Sequence, residues 1–224
     1  DIKPSAGMRL MKKDMGGAAH ALALAQAVMQ SGLKVKLDVY LAVVENAISA
    51  NAFRPGDVIA SRKGPTVEID NTDAEGRLIL ADALARACED EPALLLDFAT
   101  LTGAARTALG PDLPPFFTSD DALAAELAQA SLETADPIWR MPLWDAYESD
   151  MDSPIADLKN TGDGAFAGAI FGALFLRRFV NVAAWAHFDV YAWAPREKPS
   201  RPQGGEAQAL RACLKVIKAR FASA

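Results

Sequence analysis

Along the chain, apolar runs short enough for strands alternate with longer stretches of helical spacing. Gly16-Gly17 opens a small-residue helix that runs to about Gln30 and stops at Ser31-Gly32. In residues 35–44 apolar positions first alternate with Lys36 and Asp38 and then become continuous, which predicts a buried strand. Residues 51–65 are a turn-rich connection built on Arg54-Pro55-Gly56-Asp57 and Lys63-Gly64-Pro65. A short strand over 66–69, a polar loop over 70–77 and a helix over 78–89 come next. Residues 93–98 read as another buried strand, followed by the loop Thr100-Leu101-Thr102-Gly103 and a further helix. A strand over 114–118 precedes a helix that Asp120-Asp121 caps and that runs to about Glu133. Residues 137–164 are irregular, 165–179 helical, 183–190 a strand and 206–221 a closing amphipathic helix. The alternation predicts an α/β fold: a mostly parallel mixed sheet with helices on both faces.

Composition narrows what this fold can do. Of 224 residues, 51% are hydrophobic and 23% charged, enough apolar side chain for a packed core. Twenty-three Lys and Arg against 29 Asp and Glu leave a net charge of −6, which argues against a general nucleic-acid binder. No apolar run reaches the roughly 18 residues of a membrane helix, so no membrane partner is expected. Cys88 and Cys213 are too few for a thiolate zinc site or a disulfide framework and read as reduced, buried thiols of a cytoplasmic protein. His20 and His187 cannot form H-E-x-x-H, and both sit in apolar surroundings that favour core packing. Neither G-x-S-x-G nor a P-loop occurs. Gly162-Asp163-Gly164-Ala165-Phe166-Ala167 fits a dinucleotide fingerprint in form, but no hydrophobic strand precedes it.

The densest polar stretch is Asp70-Asn71-Thr72-Asp73-Ala74-Glu75-Gly76-Arg77, between a strand and a helix, where α/β folds place ligands. Asp73 and Glu75 are two apart, so in an extended loop their carboxylates can converge. Two such charges need compensation, and a divalent cation supplies more of it than Arg77 alone. A helix cap favoured by the dipole accounts for the same spacing, and both readings stand open here. Asp14, at another loop-to-helix junction, reads alone as a cap, and Lys3 alone as a solvated lysine.

Together these segments resemble the leucine aminopeptidase family, the hexameric dimetal cytosolic aminopeptidases. The resemblance is carried by Ile2-Lys3-Pro4-Ser5, by Met11-Lys12-Lys13-Asp14-Met15-Gly16-Gly17 and by the octet Asn71-Thr72-Asp73-Ala74-Glu75-Gly76-Arg77-Leu78. It continues through Asp97-Phe98-Ala99-Thr100-Leu101-Thr102-Gly103-Ala104, Ala156-Asp157-Leu158-Lys159-Asn160 and Trp185-Ala186-His187-Phe188-Asp189-Val190, and so covers nearly the whole chain. It implies a metal-dependent hydrolase that removes an amino-terminal, preferably apolar and leucine-like, residue from peptides. Asp14, Asp73 and Glu75 would be ligands of two divalent ions, Zn or Mn. Lys3 would polarise the substrate carbonyl, and Arg77 would hold a bicarbonate that handles the proton. Thr100, Leu101, Thr102 and Gly103 match the loop lining the substrate cleft, Met11 a wall of the pocket for the first side chain, and Asn71 a further substrate-binding position.

The family carries two more ligands, a lysine and an aspartate, in a V-G-K-G-x-x-F-D-x-G-G stretch just upstream of the Lys3 segment, and no segment here matches it. The resemblance therefore implies a catalytic domain over residues 1–224, truncated at its start and without the amino-terminal domain. The competing expectation is a non-catalytic fragment or family member acting in assembly or DNA binding. Family resemblance also implies a hexamer built as a dimer of trimers. The apolar residues Trp139, Trp144, Tyr147 and Met151, set among prolines, suit either such an interface or packing within the domain.

Overall fold

The computed structural model describes residues 5–45 and 47–222. A short helix α1 (Ser5–Met8) and a 3-10 turn (Met11–Met15) lead into α2 (Gly16–Gln30). Strands β1 (Val58–Ala60) and β2 (Thr66–Glu68), a 3-10 turn (Thr72–Ala74) and α3 (Glu75–Cys88) follow. Then come β3 (Leu95–Ala99), α4 (Gly103–Leu109), β4 (Pro115–Phe117), α5 (Asp121–Thr134) and β5 (Trp139–Arg140). A 3-10 segment (Asp145–Met151), β6 (Leu158–Lys159), α6 (Gly168–Arg177) and β7 (Trp185–Asp189) precede β8 (Trp193–Ala194), β9 (Gly204–Gly205) and α7 (Leu210–Phe221).

The central sheet has the order β3-β7-β4-β5 and is mixed. Strand β7 runs parallel to β3 over five residues, from Leu95 opposite Trp185 to Ala99 opposite Asp189, and antiparallel to β4. One face carries Phe98, Phe116 and Phe188. The Phe188 ring lies 5.0 Å from that of Phe98 and 5.8 Å from that of Phe116. Leu24 and Val28 of α2, Leu123 and Leu127 of α5, and Cys213 and Val216 of α7 cover this face. On the other face Leu78 and Leu84 of α3 and Leu174 and Phe175 of α6 pack with Trp185. The small sheet β1-β2-β6 joins that layer through Val67 and Leu158. Helices thus lie on both faces, and both cysteines are free and buried.

The strand expected over residues 35–44 does not form. A strand needs a partner's backbone to close its ladder, and among the described residues none pairs with this run. Leu37, Val39, Leu41, Val43 and Val44 are accordingly exposed. Helix α3 begins at Glu75 rather than Leu78, because Asn71 caps the 3-10 turn that leads into it by accepting the Asp73 N–H at 2.9 Å. Helix α7 begins at Leu210, later than its apolar pattern. Asp136, just beyond α5, caps it from a distance by accepting the N–H groups of Ala209 at 3.1 Å and Arg211 at 2.8 Å.

The first turn of α2 lies against the end of β3 with no room to spare. A Cβ on Gly17 would stand 2.3 Å from the Phe98 carbonyl oxygen, and one on Gly16 would stand 2.4 Å from Ala192 Cβ. Backbone cannot yield as a flexible side chain can. Gly17→Ala is therefore expected to destabilise the fold by about 1–3 kcal/mol, the usual cost of overpacking, read as a lower midpoint in urea unfolding.

Candidate active site

Parallel strands β3 and β7 end side by side, and the segments beyond their carboxyl ends border a cleft of about 1060 Å³. Open α/β sheets bind ligands at this place. Nine residues singled out in the sequence line the cleft together: Met11, Asp14, Asp73, Glu75, Arg77, Thr100, Leu101, Thr102 and Gly103. Lys3 lies outside the described residues. Asn71 does not line the cleft. Its side-chain oxygen is spent on the Asp73 amide, and its carbonyl accepts from Asn160 Nδ2 at 2.8 Å.

The acids arrive on helix starts rather than on an extended loop. Asp14 sits in the 3-10 turn before α2, Asp73 in the 3-10 turn before α3, and Glu75 is the first residue of α3. Asp14 Oδ1 accepts from Lys13 Nζ at 2.5 Å and from Thr100 Oγ1 at 3.1 Å. Among the described residues no three His, Cys, Asp or Glu side chains are gathered closely enough to hold an ion. The three acids line one cleft without closing into a cage.

Arg77 is buried beneath them. Its Nη1 donates to the Asn160 carbonyl at 2.6 Å, while its Nε is buried with no hydrogen-bond partner among the described residues. Burial pushes its pKa down to about 10, and the charges of Asp189 and Glu75 oppose that fall. The guanidinium therefore stays charged at neutral pH, with a donor to spare.

Two residues outside the candidate set, both in segments that carry the family resemblance, hold this arrangement. Asn160, fully buried, accepts the N–H groups of Asp70 at 2.9 Å and Asn71 at 3.1 Å on one side-chain oxygen, and so fixes the approach to Asp73. Asp189 accepts the N–H groups of Leu101 at 3.0 Å and Thr102 at 3.2 Å, and the Thr102 hydroxyl at 2.6 Å. Thr102 in turn caps α4 by accepting the Ala105 N–H at 3.1 Å. Burial pushes the Asp189 carboxyl up, and His187 and these three donors pull the other way. For Asp189 the available signals were its place in the Trp185–Val190 segment and its position at a strand end, as Ala99 has beside it.

Behind the cleft, Asp97 and His187 face each other across β3 and β7. His187 Nδ1 lies 2.5 Å from Asp97 Oδ1, and Trp185 Nε1 donates to Asp97 Oδ2 at 2.7 Å. Burial works against a charged imidazole, but Asp97 outweighs it and Asp189 adds to the effect, so His187 is held above its ordinary pKa. His20 is the opposite case. Its ring bridges the Gly16 carbonyl and the Gln208 N–H, and burial lowers its pKa. Both histidines are core residues, as their surroundings in the sequence imply.

Residues 1–214 match the cytosol aminopeptidase family, catalytic domain. The chain belongs to that family. A probable cytosol aminopeptidase of Paraburkholderia xenovorans is 50% identical over 189 residues, 84% of this chain and 37% of the relative. The crystal structure of the cytosol aminopeptidase from Coxiella burnetii superposes with a TM-score of 0.92 at 52% identity, covering 98% of this chain and 48% of that one. The bottromycin maturation enzyme BotP, in complex with Mn, gives 0.91 at 37% identity, covering 98% and 50%. This chain thus spans half the length of these relatives or less.

Removing the charge that faces the His187 ring leaves a protonated, buried imidazole without its counter-ion. Asp97→Asn is expected to cost about 3–5 kcal/mol at pH 6 and to lower the His187 pKa. A raised folded pKa contributes stability below the unfolded value near 6.5 and loses it as pH rises through the folded value. The deficit of the variant should therefore shrink above the raised pKa. Urea unfolding across pH 6–9 checks this, with ¹⁵N spectra resolving only two histidines.

Proposed function

We propose that the protein is a metal-dependent aminopeptidase that removes the first residue of peptides. One observation carries this reading: Asp14, Asp73, Glu75 and Arg77 converge on a single cleft at the carboxyl ends of β3 and β7, in a chain of the cytosol aminopeptidase family. The donor set supports a metal, since carboxylate oxygens suit divalent ions such as Mn or Zn, and BotP is a Mn complex. Asp14, Asp73 and Glu75 would hold two such ions, which supply an activated water at neutral pH.

The chain's own residues account for the rest. The loop from Thr100 to Gly103, pinned by Asp189 and Asp14, presents a fixed edge against which an extended peptide can lie. Met11 offers an apolar wall to the first side chain, in keeping with a leucine-like residue. Arg77, whose buried Nε has no hydrogen-bond partner among the described residues, suits a small oxyanion such as bicarbonate, which would serve in place of a histidine as the proton-handling group. Lys3 takes the substrate carbonyl in this reading.

With Mn²⁺ or Zn²⁺ the protein should release leucine from leucyl peptides and lose that activity in EDTA. Arg77→Ala is expected to lower kcat by about 10²–10³, with metal content measured by elemental analysis unchanged. A variant that lost its metal would overturn the division of roles.

We also propose a cytoplasmic hexamer, a dimer of trimers. Trp139 in β5 and Trp144 just beyond it stand 59% and 57% exposed, whereas Met151 packs into the core. Paired large aromatics on a surface suit an interface between copies. Light scattering at micromolar concentration should give six copies, and Trp139→Ser with Trp144→Ser should lower that mass.

A further inference from the structure

On the lining of the same cleft, two cations share one aromatic ring. Arg106, one turn into α4, places its guanidinium 4.7 Å from the centre of the Tyr191 ring, and Lys13 Nζ lies 5.1 Å from the same centre. All three residues line the cleft with Met11 and Gly103. The guanidinium also reaches back over Gly103, where a Cβ would be 3.9 Å from Arg106 Nη2. Tyr191 is held there by its backbone: Gln208, buried, accepts the N–H groups of Tyr191 at 3.0 Å and Ala192 at 2.9 Å. The ring is thus part of a built wall.

The charges around that ring are unbalanced. Lys13 is answered by Asp14, but among the described residues no carboxylate pairs with Arg106. With Lys13 paired to Asp14, the charge left over at the ring is that of Arg106, which attraction to the ring compensates only in part. An anion placed beside the ring would balance that charge and gain a bidentate partner in the guanidinium. Met11 and the edge of Tyr191 would meanwhile meet a short apolar stem.

We propose that Arg106 and Lys13, grouped around Tyr191, select peptides whose first residue carries a carboxylate on a short aliphatic stem, glutamate above its uncharged isostere. This rests on the aminopeptidase reading for the pose, and it adds a preference that an apolar pocket would lack. Leucyl peptides still fit the stem half of the pocket.

Binding of Glu-Ala and Gln-Ala, each with its peptide bond reduced to an amine so that no turnover intervenes, measured by calorimetry with Mn²⁺ present, tests the proposal. Glu-Ala is expected to bind about tenfold more tightly at low salt, the order of one charge-assisted hydrogen bond. The ratio should fall towards one in 0.5 M NaCl. Arg106→Met should abolish it, and Arg106→Lys should keep part of it. Equal affinities, a ratio unchanged in Arg106→Met, or no binding of either dipeptide would each overturn the proposal. Failure to release any amino-terminal residue with metal present would instead overturn the aminopeptidase reading, because the binding ratio is obtained without turnover.

Discussion

A carboxylate buried at the end of a central strand must find donors, and Asp189 finds them in the loop that borders the cleft. Two backbone amides and one hydroxyl of Leu101 and Thr102 close on it. An unsatisfied buried carboxylate would cost several kcal/mol, so this loop has little freedom to wander. His187 and Arg77 lie near enough to influence the same charge, and Asp97 fixes the His187 ring from the next strand. Rigidity at the cleft therefore originates in the buried polar layer beneath it.

Asn160 does for the acidic segment what Asp189 does for the Thr/Gly loop. One side-chain amide holds the backbone on both sides of the Asp70–Asn71 peptide, and its own carbonyl receives Arg77. Both clamps meet at α6, where Gly172 leaves space. A Cβ there would stand 3.0 Å from Leu101 Cδ2 and 3.2 Å from Thr102 Cγ2. The acids themselves then sit on the first turns of α2 and α3, where the helix dipole eases the presence of negative charge.

Local signals in the sequence read well wherever the decisive contact is local. Helix α2 starts at Gly16 and ends at Gln30 as its glycines and Ser31 indicate, and Asp120 caps α5 through the N–H groups of Ala122 and Leu123. Nine residues of the cleft were legible too, through motif rather than geometry. What failed was non-local. Residues 35–44 have strand composition but, among the described residues, no strand to pair with. Asp136 caps a helix more than seventy positions away, and the role of Asp189 exists only because β3 and β7 are neighbours. No periodicity in the chain encodes such meetings.

Strand β3 has a further property that bears on handling. Among the described residues it is paired only with β7, which makes it an edge strand, and the apolar run 35–44 is exposed. Open edges and exposed Leu and Val are templates for intermolecular ladders, and in concentrated solution they seed aggregates. Lys34, Lys36 and Asp38 stand at the head of that run as charged gatekeepers. Colloidal stability of this chain should therefore depend on three surface charges that take no part in the chemistry of its cleft.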